Sequence, residues 1–403
     1  MLKHLGGMGV ARGVYALSQA VLLILLARDV GAHEFGIMAS FLAAHTFLFL
    51  VAGMNTPTFV TREIALGNVA TALAGIRANA IVMAIAMLCA AGSSLLVVSQ
   101  PLMALAVAGN ATAVWSERVT ENRLAIAYGE RRIGAPVATL MIRSLAPLGL
   151  YLGLGVAGVD QLLAFAIARV AAGIVCQLLG ALLVRLPGCS CERVPLTGVL
   201  RQQASLAVSV GMVSLRTLDS VLVIAIAGAS NSGVYSAVSR VVSPFGILAM
   251  ATVPVLVPRA AVASPDKVRR ILDALLIGGL LLSSVTLLAF PYREILVVSV
   301  LGPEFAGGGA VLAFALLRIG PYAVAPLIGS ALQAKGIGRA VAINDAATSV
   351  MALIALAVGA IVAGATGAAA GFALVSLIGV AALWALGRRA LRAKSYRQPV
   401  ESG

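Results

Sequence analysis

Eight arginines stand inside stretches that are otherwise apolar: Arg12, Arg77, Arg118, Arg143, Arg169, Arg216, Arg240 and Arg318. A charge at the centre of a bilayer costs at least about 2.5–3.5 kcal/mol on insertion scales, so such a residue faces a cavity or a partner. Close to the end of a span it can instead snorkel to the headgroups. Snorkelling or packing within the protein is the expected role of Arg77, Arg118, Arg143 and Arg169. Arg216 lies midway along its span, too deep to reach either surface. Arg318, about two turns into its span, divides between a cavity and snorkelling. A guanidinium is a planar fork of donors that grips phosphates bidentately, so a cavity lined by several would suit an anion and repel a cation.

The acids are fewer. Asp219 follows Arg216 by three residues, on one helix face. It is either the counter-ion that lets Arg216 insert or a gate or coupling-ion site. Asp345, near the inner end of its span, reads as a cap or loop contact. Glu117, Arg118, Glu121, Asn122 and Arg123 form a polar cluster, read as a helix emerging into the cytoplasm in preference to a substrate contact.

The elements that hold these residues follow from composition. Of 403 residues 61% are hydrophobic and 11% charged, and the mean hydropathy is +1.03. Soluble domains carry about 45–50% apolar and 25% charged residues, so this chain is built for lipid. With few aromatics and little β alternation, the backbone must satisfy itself as helices of roughly 20 residues. Twelve spans are expected, at residues 10–27, 36–54, 75–98, 102–128, 136–155, 162–184, 204–227, 234–257, 271–290, 311–332, 341–363 and 367–386. Arg28 and Asp29 stand where a signal peptide would carry small cleavage-site residues, so the first span is retained.

The net charge of +14 would point to nucleic acid in a soluble protein, but here it marks loop asymmetry. With the N-terminus inside, cytoplasmic segments hold 19 of the 29 Lys and Arg residues and outer loops hold two, Arg28 and Arg293. Both termini are therefore expected in the cytoplasm. Gly31, Gly36, Pro57 and Arg62 recur as Gly228, Gly233, Pro254 and Arg259, each pair 197 residues apart. Two six-helix halves of like orientation form a parallel repeat, with substrate expected at their interface. The expected lobes are residues 1–198 and 199–403, joined by a cytoplasmic linker near 185–203.

Short motifs sharpen this reading. Leu26-Ala27-Arg28-Asp29-Val30-Gly31-Ala32-His33-Glu34-Phe35-Gly36 resembles the opening of Wzx-type polysaccharide flippases, members of the multidrug/oligosaccharidyl-lipid/polysaccharide exporter superfamily. Arg62-Glu63-Ile64-Ala65, Gly233-Val234-Tyr235-Ser236-Ala237 and Leu301-Gly302-Pro303-Glu304-Phe305 fit the same pattern. The resemblance implies an all-α fold of about twelve membrane helices in two pseudo-symmetric lobes around a central cavity, in a bacterial inner (plasma) membrane. It implies a cargo of polyprenyl-diphosphate-linked oligosaccharide, moved outward for cell-surface polysaccharide synthesis. Polysaccharide polymerase and glycosyltransferases are then possible partners, beside the membrane lipids. Arg12 and Arg240 fall on helices expected to line the cavity, so Arg12, Arg216, Arg240 and Arg318 are the candidate substrate-binding residues. Asp219 is the candidate gate.

Two other functions compete. A drug or small-molecule exporter of the same superfamily would share the helix count, but the acidic cation-site pattern of such exporters is not seen. A membrane-embedded glycan enzyme would need a large outer loop or paired carboxylates; the longest outer stretch is near 291–309, and no carboxylate pair has metal spacing. Walker, Gly-rich phosphate-loop and catalytic-triad motifs do not occur either, so neither enzyme activity nor a cofactor is expected. Cys189 and Cys191 sit in a basic loop without a nearby histidine and read as a reduced pair, not a metal site.

Overall fold

The computed structural model describes the chain except residues 1, 131, 187–193, 196–197, 202, 204–209, 213, 251 and 396–403. Cys189, Cys191 and the start of the seventh expected span lie outside the described residues. The described chain is helical throughout, with no strand among these residues. Its helices are α1 (Leu2–Ala52), α2 (Thr56–Ala65), α3 (Val69–Val97), α4 (Pro101–Gly129), α5 (Gly134–Val156) and α6 (Gln161–Leu183). After a 3-10 turn at Leu215–Leu218 come α7 (Asp219–Ala227), α8 (Ala229–Met250), α9 (Val253–Val262), α10 (Pro265–Thr286), α11 (Arg293–Leu301), α12 (Gly309–Ala334) and α13 (Gly338–Ser395).

Eight helical stretches among the described residues are long and apolar enough to cross a membrane. Two of them are far longer than a bilayer is thick: Gly7–Ala65 has 59 residues and Gly338–Arg392 has 55. Each holds two passes, because α1 bends at Gly31 and α13 at Ala363–Gly364. The more polar α4 and α8, of 29 and 22 residues, are long enough to cross as well and bring the membrane-length passes to twelve.

The repeat seen in the sequence reappears as backbone geometry. Gly31 and Gly228 both take left-handed φ, 81° and 84°, a conformation open to glycine without a Cβ clash. The ten-residue helices α2 and α9 begin 197 residues apart, carry Pro57 and Pro254 in their first turn, and have Arg62 and Arg259 in their last. Proline is tolerated there because the first turn leaves its N–H groups unbonded anyway. These helices correct two expected boundaries. The second span ends at Ala52, where Met54 and Asn55 turn left-handed, and the eighth ends at Met250; each is followed by a separate short helix. Another helix missing from the sequence reading, α11, occupies much of the stretch 291–309 expected as an outer loop. The Glu294 carboxylate closes that stretch, accepting from the N–H groups of Gly307 (2.5 Å) and Gly309 (2.9 Å).

The chain forms two compact units, Met1–Val221 and Leu222–Gly403. Their division falls inside the seventh span. Val199 packs with Phe59, Val60 and Val184, the 3-10 turn packs on α1, and the Ser40 hydroxyl donates to the Ser220 carbonyl at 3.1 Å. Val199 and the described residues Leu215–Val221 of span 7 therefore belong with the first unit.

In the second unit α10 and α12 cross in backbone contact. A Cβ on Gly320 would fall on the Gly279 carbonyl and the Ser283 hydroxyl, and that hydroxyl already donates to Leu317 O (2.9 Å) and accepts from Gly320 N–H (3.1 Å). Small residues let membrane helices approach like this. Gly320→Ala should cost about 1–3 kcal/mol through overpacking and lower the thermal midpoint in detergent. Gly278→Ala, which meets open space, should leave the midpoint unchanged or slightly raised.

Candidate functional site

The first unit is tied together by an interior ion network. Arg143 on α5 donates to Glu117 (2.5 Å) and Glu121 (2.7 Å) on α4 and to the Tyr15 hydroxyl on α1 (3.0 Å). Its guanidinium also lies 4.7 Å from the centroid of the Tyr15 ring. Arg169 on α6 pairs with Glu117 at 3.1 Å and donates to Asn110 (3.1 Å) and Gln19 (3.3 Å). Arg118 completes the set on Glu121 at 3.0 Å. The Glu117 and Arg169 side chains are each 6% exposed. Ions this deep persist because each is paired and hydrogen-bonded. A cavity of about 60 Å³ beside them is lined by Thr120, Glu121, Tyr128, Thr139, Arg143 and Cys176 among others. It has room for a few waters, not for a lipid headgroup.

This network corrects the reading of the Glu117–Arg123 cluster as a helix end entering the cytoplasm. Glu117, Thr120 and Asn122 are buried, and α4 continues to Gly129. Asn122 donates to Asn79 (2.7 Å), which in turn donates to the Ala52 carbonyl (2.8 Å) where α1 stops. Arg143 and Arg169 pack within the protein and do not snorkel. The signal was present in the sequence: Asn110, Glu117 and Glu121 fall on one helical stripe, opposite basic residues inside the next two spans.

The candidate substrate residues are distributed over both units. Arg12 is exposed on α1. Arg216 is half-buried in the 3-10 turn, where residues three apart stay on one side, so it remains on the side of Asp219. The Asp219 carboxylate opens α7 and accepts from the Ser220 N–H (2.7 Å) and hydroxyl (3.3 Å). Arg240 and Arg318 lie half-buried on α8 and α12, helices that pack on each other in the second unit.

Arg318 differs from the arginines of the first unit in how it is held. Its guanidinium lies over two aromatic faces, 4.5 Å from the Phe372 centroid and 5.6 Å from that of Tyr322. Neither it nor Arg240 meets a carboxylate among the described residues. A guanidinium held by its face keeps its N–H edge for a ligand. Tyr322 could have been found from its i+4 spacing to Arg318. Phe372, distant in sequence, carried no such signal. No group of three His, Cys, Asp or Glu side chains gathers in metal-binding range among the described residues.

No family model matches the sequence, and no curated protein does. Solved structures do match. One is an inward-facing multidrug resistance MATE family transporter of the MOP superfamily, 15% identical over 97% of this chain and 100% of that one, with a TM-score of 0.73. The lipid II flippase MurJ in its inward closed conformation is 12% identical over 98% of this chain and 91% of its own, with a TM-score of 0.69. The Vibrio cholerae MATE transporter VcmN is 16% identical over 97% of both chains, with a TM-score of 0.67. The shared property at such identities is the fold: a twelve-helix membrane fold known from transporters and flippases.

Proposed function

We propose that the protein is a flippase that moves polyprenyl-diphosphate-linked oligosaccharides from the cytoplasmic to the outer leaflet of a bacterial inner membrane, with both termini in the cytoplasm. The observation that carries this reading is the distribution of charge inside the helices. The interior carboxylates Glu117 and Glu121 are already bound by arginines, whereas Arg240 and Arg318 have no carboxylate partner among the described residues. Such an interior has cationic groups to offer a diphosphate, and a cationic drug would have to compete with arginines for Glu117 and Glu121. Arg12 and Arg216 are proposed as further cavity contacts and Asp219 as gate or counter-ion. Glycosyltransferases and a polymerase are proposed partners upstream and downstream of the flipped glycan.

One finding favours a second reading, export of drugs: two of the three structures described above are MATE transporters, one of them described as a multidrug resistance transporter. Reconstitution separates the two. Proteoliposomes containing the full chain should move a fluorescent polyprenyl-diphosphate oligosaccharide between leaflets and leave a cationic dye such as ethidium where it is. Ethidium transport without movement of the lipid-linked glycan would replace the flippase with the exporter.

A further inference from the structure

The end of the second unit where α13 finishes carries a basic surface that includes none of the candidate substrate residues. Val268 and Leu272 of α10, Ile337, Val341 of α13 and Leu391 near its end pack into one buried cluster. Sequence neighbours of these residues, Lys267, Arg270, Arg339, Arg389 and Arg392, are all exposed. The acids at this end are already occupied: Asp266 pairs with Arg269, and Asp273 accepts from the Trp384 indole (2.8 Å) and pairs with Arg388 (3.4 Å). Five exposed cations therefore converge on one helix bundle end without a carboxylate partner among the described residues.

Depth along α13 relates them to the bilayer. Trp384 is half-buried, and its ring lies beneath the Arg388 guanidinium, 5.2 Å from the centroid. Tryptophan of this kind sits at headgroup level. Arg389 and Arg392 follow it by about 8 and 12 Å along the helix axis. We propose that this end binds anionic phospholipid headgroups of the leaflet it faces, cytoplasmic on the charge distribution of the sequence. Phosphates are the complementary charge available at that depth, and basic clusters flanking membrane helices bind them electrostatically. The proposal is independent of what the protein transports.

The protein supplies its own reporter. It has two tryptophans, so Trp115→Phe leaves Trp384 alone at the site. The full chain is reconstituted in phosphatidylcholine bilayers with a fixed fraction of lipid brominated near the glycerol end of its chains, either phosphatidylglycerol or phosphatidylcholine. Brominated phosphatidylglycerol should quench Trp384 more strongly, with a relative association constant of about 5 or more, and the excess should shrink as salt screens it. Arg339→Gln, Arg389→Gln and Arg392→Gln together should bring the constant near one, and the matching lysine triple should keep it high. Equal quenching by the two lipids in the parent overturns the proposal, as does an excess that survives the glutamine triple or high salt. Loss of the excess in both triples overturns it too, because charge would not be the cause.

Discussion

Glu117→Gln should destabilise the protein by about 3–5 kcal/mol, the cost of leaving buried ions without a partner. Arg169 would lose its ion pair and keep only neutral partners, Asn110 and Gln19, and Arg143 would keep Glu121 and the Tyr15 hydroxyl. Thermal unfolding in detergent reads this directly. In the double variant Glu117→Gln/Arg169→Gln the buried guanidinium is gone as well, and the surviving Arg143–Glu121 pair is intact. Its loss should therefore be well below the sum of the two single losses, as expected of residues in one network. A single Glu117→Gln variant that unfolds like the parent but no longer transports would show instead that Glu117 is a transport group.

The second large effect is expected at Arg318. A hydrogen bond to a charged group contributes about 1.5–3 kcal/mol, so Arg318→Ala should slow glycan flipping by roughly 10- to 100-fold while the protein still inserts. Arg318→Lys should recover part of this, since an ammonium restores charge but not the planar fork. Phe372→Leu should have a smaller effect, because it removes one ring face worth about 0.5–2 kcal/mol and leaves Tyr322. The alternative is that Arg318 is a packing element whose stem and plane fill the space between two rings. An Arg318→Met variant that flips the glycan at the parental rate would falsify the substrate role.

Several features of this molecule were legible in one sequence. Hydropathy located the membrane passes, because lipid leaves an unpaired backbone no solvent and so forces long apolar helices. The spacing of Gly31 and Gly228, and of Pro57 and Pro254, announced the two halves, because left-handed turns and helix starts restrict residue type at fixed places. Local backbone chemistry of this sort leaves a mark at the residue that performs it. The sequence also identified the interior arginines as the residues to explain.

What each arginine does was decided by tertiary structure. Arg143, Arg169 and Arg318 are alike as letters, each one charge inside an apolar run. Two of them meet Glu117 from different helices, and the third meets Phe372, 54 residues away in the chain. The breaks after Ala52 and Met250 and the packing of the 3-10 turn on α1 likewise arise between elements. The cost of a buried charge depends on what lies within about 4 Å of it, and helix packing brings those neighbours from positions that no local spacing in the sequence encodes.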